Sequence, residues 1–315
     1  MTTAATGKPI PTAADATRPK RGAGRAGAAG AYNREKQRST LLTILLWLCA
    51  LYFILPIVWL VIAATKDNAD LFTTFGFAFG TKFSLFANLA DVFSTQNGIY
   101  AQWAVNTVLY AVVSAFGASL LATMAGYAFA KYRFPGAIVM FSIVLGAIMI
   151  PLTALALPTY LMFSQIGITN TAAAVIVPSL VSPFGVFLMR VYAADAIPDS
   201  LIEAARVDGA GEFRIFWQVG LRLLGPGVVT VFLFTLVATW NNYFLPLIML
   251  NSSNLYPLTV GLAQQQATSA GGSGSQALFS TVITGSLVSI VPLIIAFLFL
   301  QRYWTTGLAS GSVKE

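Results

Sequence analysis

Glu203, Ala204 and Ala205 open the densest charged stretch after the N-terminal tail, Ile197 to Gly227, which reads IPDSLIEAARVDGAGEFRIFWQVGLRLLGPG. Ser200 followed three residues later by Glu203 forms a capping box, with Pro198 just upstream. This predicts a helix that starts there and runs to Val207. Asp208, Gly209 and Gly211 then break it, and Gly209 stands where a left-handed backbone ends a helix. From Glu212 a second helical pattern places Phe213, Phe216, Trp217 and Gly220 at i, i+3, i+4 and i+7, with two large aromatics on one face. Composition alone suits an amphipathic helical hairpin on a lipid surface.

A second group of residues carries recognition chemistry. Trp240, Asn241, Asn242 and Tyr243 combine amide hydrogen bonding with aromatic faces inside a long apolar run, and Asn106 and Tyr110 add to that set. Such side chains suit a neutral polar solute. They equally suit cross-linking of helices, because an amide in hydrocarbon seeks any partner.

Other chemistry is excluded by what the chain lacks. There is no histidine, and the single cysteine, Cys49, lies in an apolar run, so neither an internal disulfide nor a cysteine metal site can form. No GxxxxGK[ST] sequence is present to cradle nucleotide phosphates. The glycine-rich Ala270 to Ser275 lacks the lysine of such a loop and reads as a flexible outside loop. An enzyme embedded in the membrane would need a catalytic carboxylate, histidine or metal set, and the acids near the membrane lie in the 197–227 stretch.

The elements that must position these residues are apolar helices. Hydrophobic residues make up 57% of the 315, charged ones only 9%, so a soluble core with a polar shell cannot be built. Six spans are expected, at 41–64, 103–130, 137–163, 171–189, 223–250 and 277–300, each long enough for a hydrocarbon core about 30 Å thick. Pro151 and Pro158 fall within the third, and Arg190 and Arg302 mark the ends of the fourth and sixth. All charged residues lie between these spans. An ion-coupled carrier usually holds its ion on an intramembrane ionisable group, so energy must come from elsewhere. The expected fold is therefore all-α and polytopic, with the helix-turn-helix between spans four and five.

Of eighteen Lys and Arg, sixteen fall in the tail, the 131–136 turn, the 190–222 stretch and the C-terminal tail; only Lys66 and Lys82 lie in the opposite loops. The positive-inside rule then puts both termini in the cytoplasm. Residues 66–102 are expected to form a partly ordered outside loop. Residues 1–40, basic and without apolar periodicity, are expected to be a disordered cytoplasmic tail, leaving 41–315 as one transmembrane domain.

At Glu203-Ala204-Ala205, Gly209, Val219 and Leu221 the chain resembles the inner-membrane permease subunits of ATP-binding-cassette importers. Their signature is EAA, three residues, Gly, nine residues, Ile, any residue, Leu, Pro. Val219 replaces the isoleucine and Arg222 the proline. GYAFAKYRFPG at 126–136, IPLTALALPTY at 150–160, WNNYFLPL at 240–247, LTVGL at 258–262 and the ending QRYWTTGLASGSVKE resemble the sugar-importer branch, in particular the shorter permease of the maltose-type system.

The resemblance implies that the two short helices, with Phe213, Phe216 and Trp217, dock into a cleft on an ATPase subunit and transmit its closure. It implies a second permease, two ATPase subunits that bind ATP and Mg, an extracytoplasmic solute-binding protein and a sugar-like solute, in a bacterial cytoplasmic membrane. No cofactor is expected on this chain. A polyol or glycerophosphodiester is the alternative solute for the same machine, and an ion-coupled carrier the alternative class.

Overall fold

Long uncharged runs leave the backbone no water to bond in lipid, so its donors and acceptors must be satisfied internally, as helices. The structure, a computed structural model, describes residues 23–271 and 279–309, with side chains described for 40–270 and 279–301. Every regular element among them is helical. In chain order these are α1 (Ala23–Ala64), α2 (Asn68–Thr73), α3 (Leu85–Ser94), α4 (Ile99–Lys131), α5 (Ala137–Ile148), α6 (Leu152–Gln165), α7 (Ala172–Ser179), α8 (Pro183–Ala196), α9 (Asp199–Val207), α10 (Glu212–Ile215), α11 (Leu221–Leu223), α12 (Gly225–Trp240), α13 (Phe244–Met249), α14 (Leu258–Gly271) and α15 (Phe279–Ala309).

The chain forms two compact units, Met1–Val58 and Trp59–Glu315. The described part of the first is helical from Ala23, so α1 begins inside the stretch expected to be a disordered tail, among alanines, arginines and other good helix formers.

In the second unit α4 is the central element, packed against α7, α8, α12 and α14. Its sequence explains why: Ala111, Ala115, Ala118 and Ala122 are buried, and small residues let helix backbones approach closely where lipid removes the hydrophobic drive. Gly126 continues that stripe. A Cβ there would stand 2.6 Å from the Met189 Cβ and 2.7 Å from the Arg190 nitrogen of α8.

Among the described residues four helices are long and apolar enough to cross a membrane, and six if each of two bent pairs is one span. Those bends correct the expected straight spans. The third is broken between α5 and α6 by 105°, because Pro151 lacks an N–H and stands at the start of α6. The fourth is interrupted at Ser182-Pro183, and α8 runs past Arg190 to Ala196, with the Arg190 guanidinium 4.0 Å over the Phe141 ring. The fifth turns by 78° into α12 and ends at Trp240, where the expected span continued to Leu250. In the sixth, α15 continues through Arg302 to Ala309, while Ala277 lies outside the described residues.

The 66–102 region is more ordered than expected. Lys66 is buried and donates to the Phe75 carbonyl at 2.9 Å, buried Asp70 accepts from the Thr81 N–H at 2.7 Å, and Asn88 donates to the carbonyls of Ala64 and Lys66. The polar segment before the sixth span holds α14, while most of the glycine-rich 270–275 loop lies outside the described residues.

Candidate functional site

Alanine-rich α9 and aromatic-rich α10 meet at a glycine turn. Gly209 has φ of +79°, its N–H donates to the Arg206 carbonyl, and the Ala210 N–H donates to the Ala205 carbonyl, both at 3.0 Å. This paired arrangement satisfies the last carbonyls of α9 and needs the left-handed residue that glycine supplies. The turn is strapped from outside: Arg206 Nε donates to Glu212 Oε1 at 2.7 Å and Arg206 Nη2 to Oε2 at 3.3 Å, while the Tyr132 hydroxyl donates to Oε2 at 2.8 Å.

The base of α9 is held from α4. The buried Lys131 ammonium donates to the Ile197 carbonyl at the end of α8 and to Asp199 Oδ1 at 2.8 Å in the first turn of α9. That hydrogen bond keeps the Asp199 carboxyl below its usual range. Arg206, then Tyr132, does the same for Glu212. Burial, then the bond to Glu212, pushes the Tyr132 hydroxyl upward.

Two local expectations need correction. The capping box does not form: α9 starts at Asp199 with Pro198 at the cap, and no side chain caps it, because the proline sets the helical turn before Ser200 is reached. Glu203 therefore lies beyond the first turn, exposed, with no hydrogen bond or ion pair inside the described chain. The second correction concerns the aromatic face. Phe216–Gly220 is a π turn, with the Leu221 N–H bonded to the Phe216 carbonyl. Phe216 turns inward, 5.2 Å from the Tyr127 ring, beside buried Ile202, Ile215 and Leu224. Phe213 and Trp217 instead point out, 69% and 41% exposed, in edge contact at 6.0 Å.

The rest of the motif follows this division. Ala204 is exposed, whereas Ala205, Val219 and Leu221 are partly buried against the Phe216 cluster. Arg222 is exposed, and helix continues past it to Leu223; the proline that ends the straight run is Pro226, in the first turn of α12. The outcome is a strapped pair of short helices on which Glu203, Ala204, Val207, Phe213 and Trp217 are exposed.

These features agree with what the sequence matches. The model of the family described as binding-protein-dependent transport system inner membrane component covers residues 118–305. The chain is 34% identical to the arabinooligosaccharides transport system permease protein AraQ of Halalkalibacterium halodurans, over 88% of this chain and 96% of that one. The chain belongs to that family. It is also 30% identical to the lactose transport system permease protein LacG of Rhizobium radiobacter, over 85% of this chain and 93% of that one. A solved bacterial ABC transporter involved in import of the acidic polysaccharide alginate shares the fold, with a TM-score of 0.75 at 22% identity over 86% of this chain and 98% of that one. The protein is a membrane transport subunit and not an enzyme.

The residues expected along a solute path are not brought together in this permease. Asn106 is buried and fully occupied: its amide donates to the carbonyls of Asn254 at 2.8 Å and Tyr256 at 3.0 Å, and its oxygen accepts from Gln102 at 3.0 Å. Tyr110 donates to the Leu255 carbonyl at 2.9 Å. Both tie α4 to the segment before α14. Trp240 is buried against Ala111 and Ala115, Asn241 bonds back to Val237, and the Asn242 side chain caps the start of α13. Only Tyr243 of the six faces the open groove of about 360 Å³ formed with α14 and α15.

Sequence reasoning missed three anchors. Lys131 enters the sequence reading through charge topology, and with Tyr132 through the 126–136 run, although a basic residue and a hydroxyl at a helix end beside a charged hairpin also signal a strap. Asn170, at φ of +57°, accepts from the N–H groups of Asn251 and Ser252 and so clamps the turn before α7 to the end of α13. An asparagine just after a glycine-containing turn was its signal.

Proposed function

We propose that this chain is one permease subunit of an ATP-driven, binding-protein-dependent importer of a sugar, and that α9–α11 dock on its ATPase. The observation that carries this reading is the exposed, unpaired Glu203 beside exposed Val207, Phe213 and Trp217, on a projection whose base is fixed to α4 by Lys131 and Tyr132. A carboxylate rimmed by aromatic and small residues suits a protein cleft, since charge sets register and a desolvated aromatic supplies affinity. A lever must also be stiff. The strap and the Phe216–Tyr127 contact pass a push on α9–α11 to α4 and α8, the packed centre of the bundle.

In this reading the assembly also holds a second related permease, two ATPase subunits binding ATP and Mg, and an extracytoplasmic binding protein, in a bacterial inner membrane; family membership supports it. Both termini lie in the cytoplasm, and residues 41–315 form the permease domain. The solute is a saccharide, as the names of AraQ and LacG state for those proteins. Asn106, Tyr110 and Trp240 hold helices together in this reading, and Asn241, Asn242 and Tyr243 remain the residues proposed to meet solute.

The test uses the assembled complex with Glu203→Gln and Glu203→Lys, reading complex yield and solute-stimulated ATPase. Glu203→Gln lowers stimulation and Glu203→Lys lowers it further, with partial recovery when a facing basic residue on the ATPase is changed to an acid. Normal assembly and stimulation in both variants would remove Glu203 from the contact.

A further inference from the structure

The groove beside the helix break has a chemistry that the coupling role does not use. Thr259 and Gln266 reach it from one face of α14, Val282, Ser286 and Ser289 from one face of α15, and Tyr243 from the start of α13. Its volume is about 360 Å³, and it is open on one side. The hydroxyl hydrogens of Thr259, Ser286 and Ser289 go to the carbonyls of Asn242, Val282 and Ser286, at 2.8, 2.8 and 2.7 Å. Each of these oxygens keeps acceptor capacity, beside the apolar Leu262 and Ala263 that also line the groove. The exposed Gln266 amide supplies both donors and an acceptor, and the Tyr243 ring, 41% exposed, supplies an aromatic face.

No lining residue carries charge. Acceptors, one amide and one aromatic face match the hydroxyls and the C–H face of a sugar ring. A uronate carboxylate would lose water here without gaining a cation, at a cost that burial of an unpaired charge always carries. We infer that this groove is the subunit's own wall of the solute path, and that it accepts neutral saccharides rather than acidic ones. The inference rests on the importer reading above.

The single cysteine makes the test clean. In a Cys49→Ser background, Gln266→Cys and Ser286→Cys are placed in the full complex with its ATPase, second permease and binding protein, and treated with the water-borne thiol reagent methanethiosulfonate ethylsulfonate. Gln264→Cys, exposed on α14 away from the groove, is the control. Uptake of labelled neutral di- and trisaccharides and of uronate oligosaccharides is measured before and after treatment. Both groove cysteines are modified and uptake of the neutral sugar falls to the ATP-free background, while the modified control still transports. Groove cysteines that stay unmodified, because lipid or the second permease covers them, overturn the inference, as does modification without loss of uptake. A wild type that carries uronate and neutral oligosaccharides alike overturns the neutral assignment. A wild-type complex that imports no saccharide sinks the importer reading itself, whereas a working wild type with indifferent groove variants sinks this inference alone.

Discussion

Gly209 shows how one residue type can set a functional element. A Cβ built there meets nothing within 4 Å, so space does not forbid a side chain; the backbone does, at φ of +79°. A non-glycine residue in that region costs about 1–2 kcal/mol, least for asparagine and most for β-branched residues. Gly209→Asn is therefore expected to keep most solute-stimulated ATPase activity. Gly209→Val should cut it by about tenfold or more, since 1.4 kcal/mol is a factor of ten, with membrane insertion unchanged. Stimulation assays on the two variants, beside yield from membranes, check this; equal activities would mean that the turn geometry does not matter for coupling.

At the scale of the element, the strap across the turn has a defined pH response. Glu212 titrates below its ordinary value of 4.5 when bonded to Arg206 and Tyr132. A carboxyl lowered by folding contributes stability that is present above its unfolded pKa and is lost as pH falls through the folded one. Well above 4.5 the contribution is constant, and it is lost only as pH falls below 4.5 through the lowered value of the folded state. Wild type and Glu212→Gln, compared by limited proteolysis of α9–α11 in nanodiscs, should differ by the same ratio across the upper range and converge below it. Because both partners are exposed the difference will be modest; divergence that grows at low pH would contradict the strap.

The same element shows what the sequence could and could not reveal. Breakers at Asp208, Gly209 and Gly211 and the 3.6-residue period point to helix, turn and helix, because those signals are local. The direction of each aromatic is not local: only the packing against Tyr127 buries Phe216 while Phe213 and Trp217 stay exposed. Likewise amides at 106 and 241–242 look alike in a sequence whether they bond solute or backbone, and only the fold brings the Asn254 and Tyr256 carbonyls to Asn106. Pro151 stands at one break, but Pro158 lies inside α6 without one, so prolines alone give neither the breaks nor the angles of 105° and 78°.

For the whole molecule, the architecture divides labour between two ends of one stiff helix. Buried alanines and Gly126 let α4 lie against α8 and α12, so force applied near Lys131 and Tyr132 has little slack to absorb it before it reaches Asn106 and Tyr110 at the other end. Those residues hold the segment that leads into α14 and the groove. Close packing has discrete arrangements rather than a continuum, which is what a two-state transporter requires. The central claim is that α9–α11 contact the ATPase, and the most direct measurement places a photo-crosslinking benzoylphenylalanine at Phe213 of the co-expressed complex. On illumination the account predicts a covalent adduct between this chain and the ATPase subunit, absent when the probe replaces exposed Val139 of α5. Adducts at Phe213 with lipid alone, at full complex yield, would contradict it.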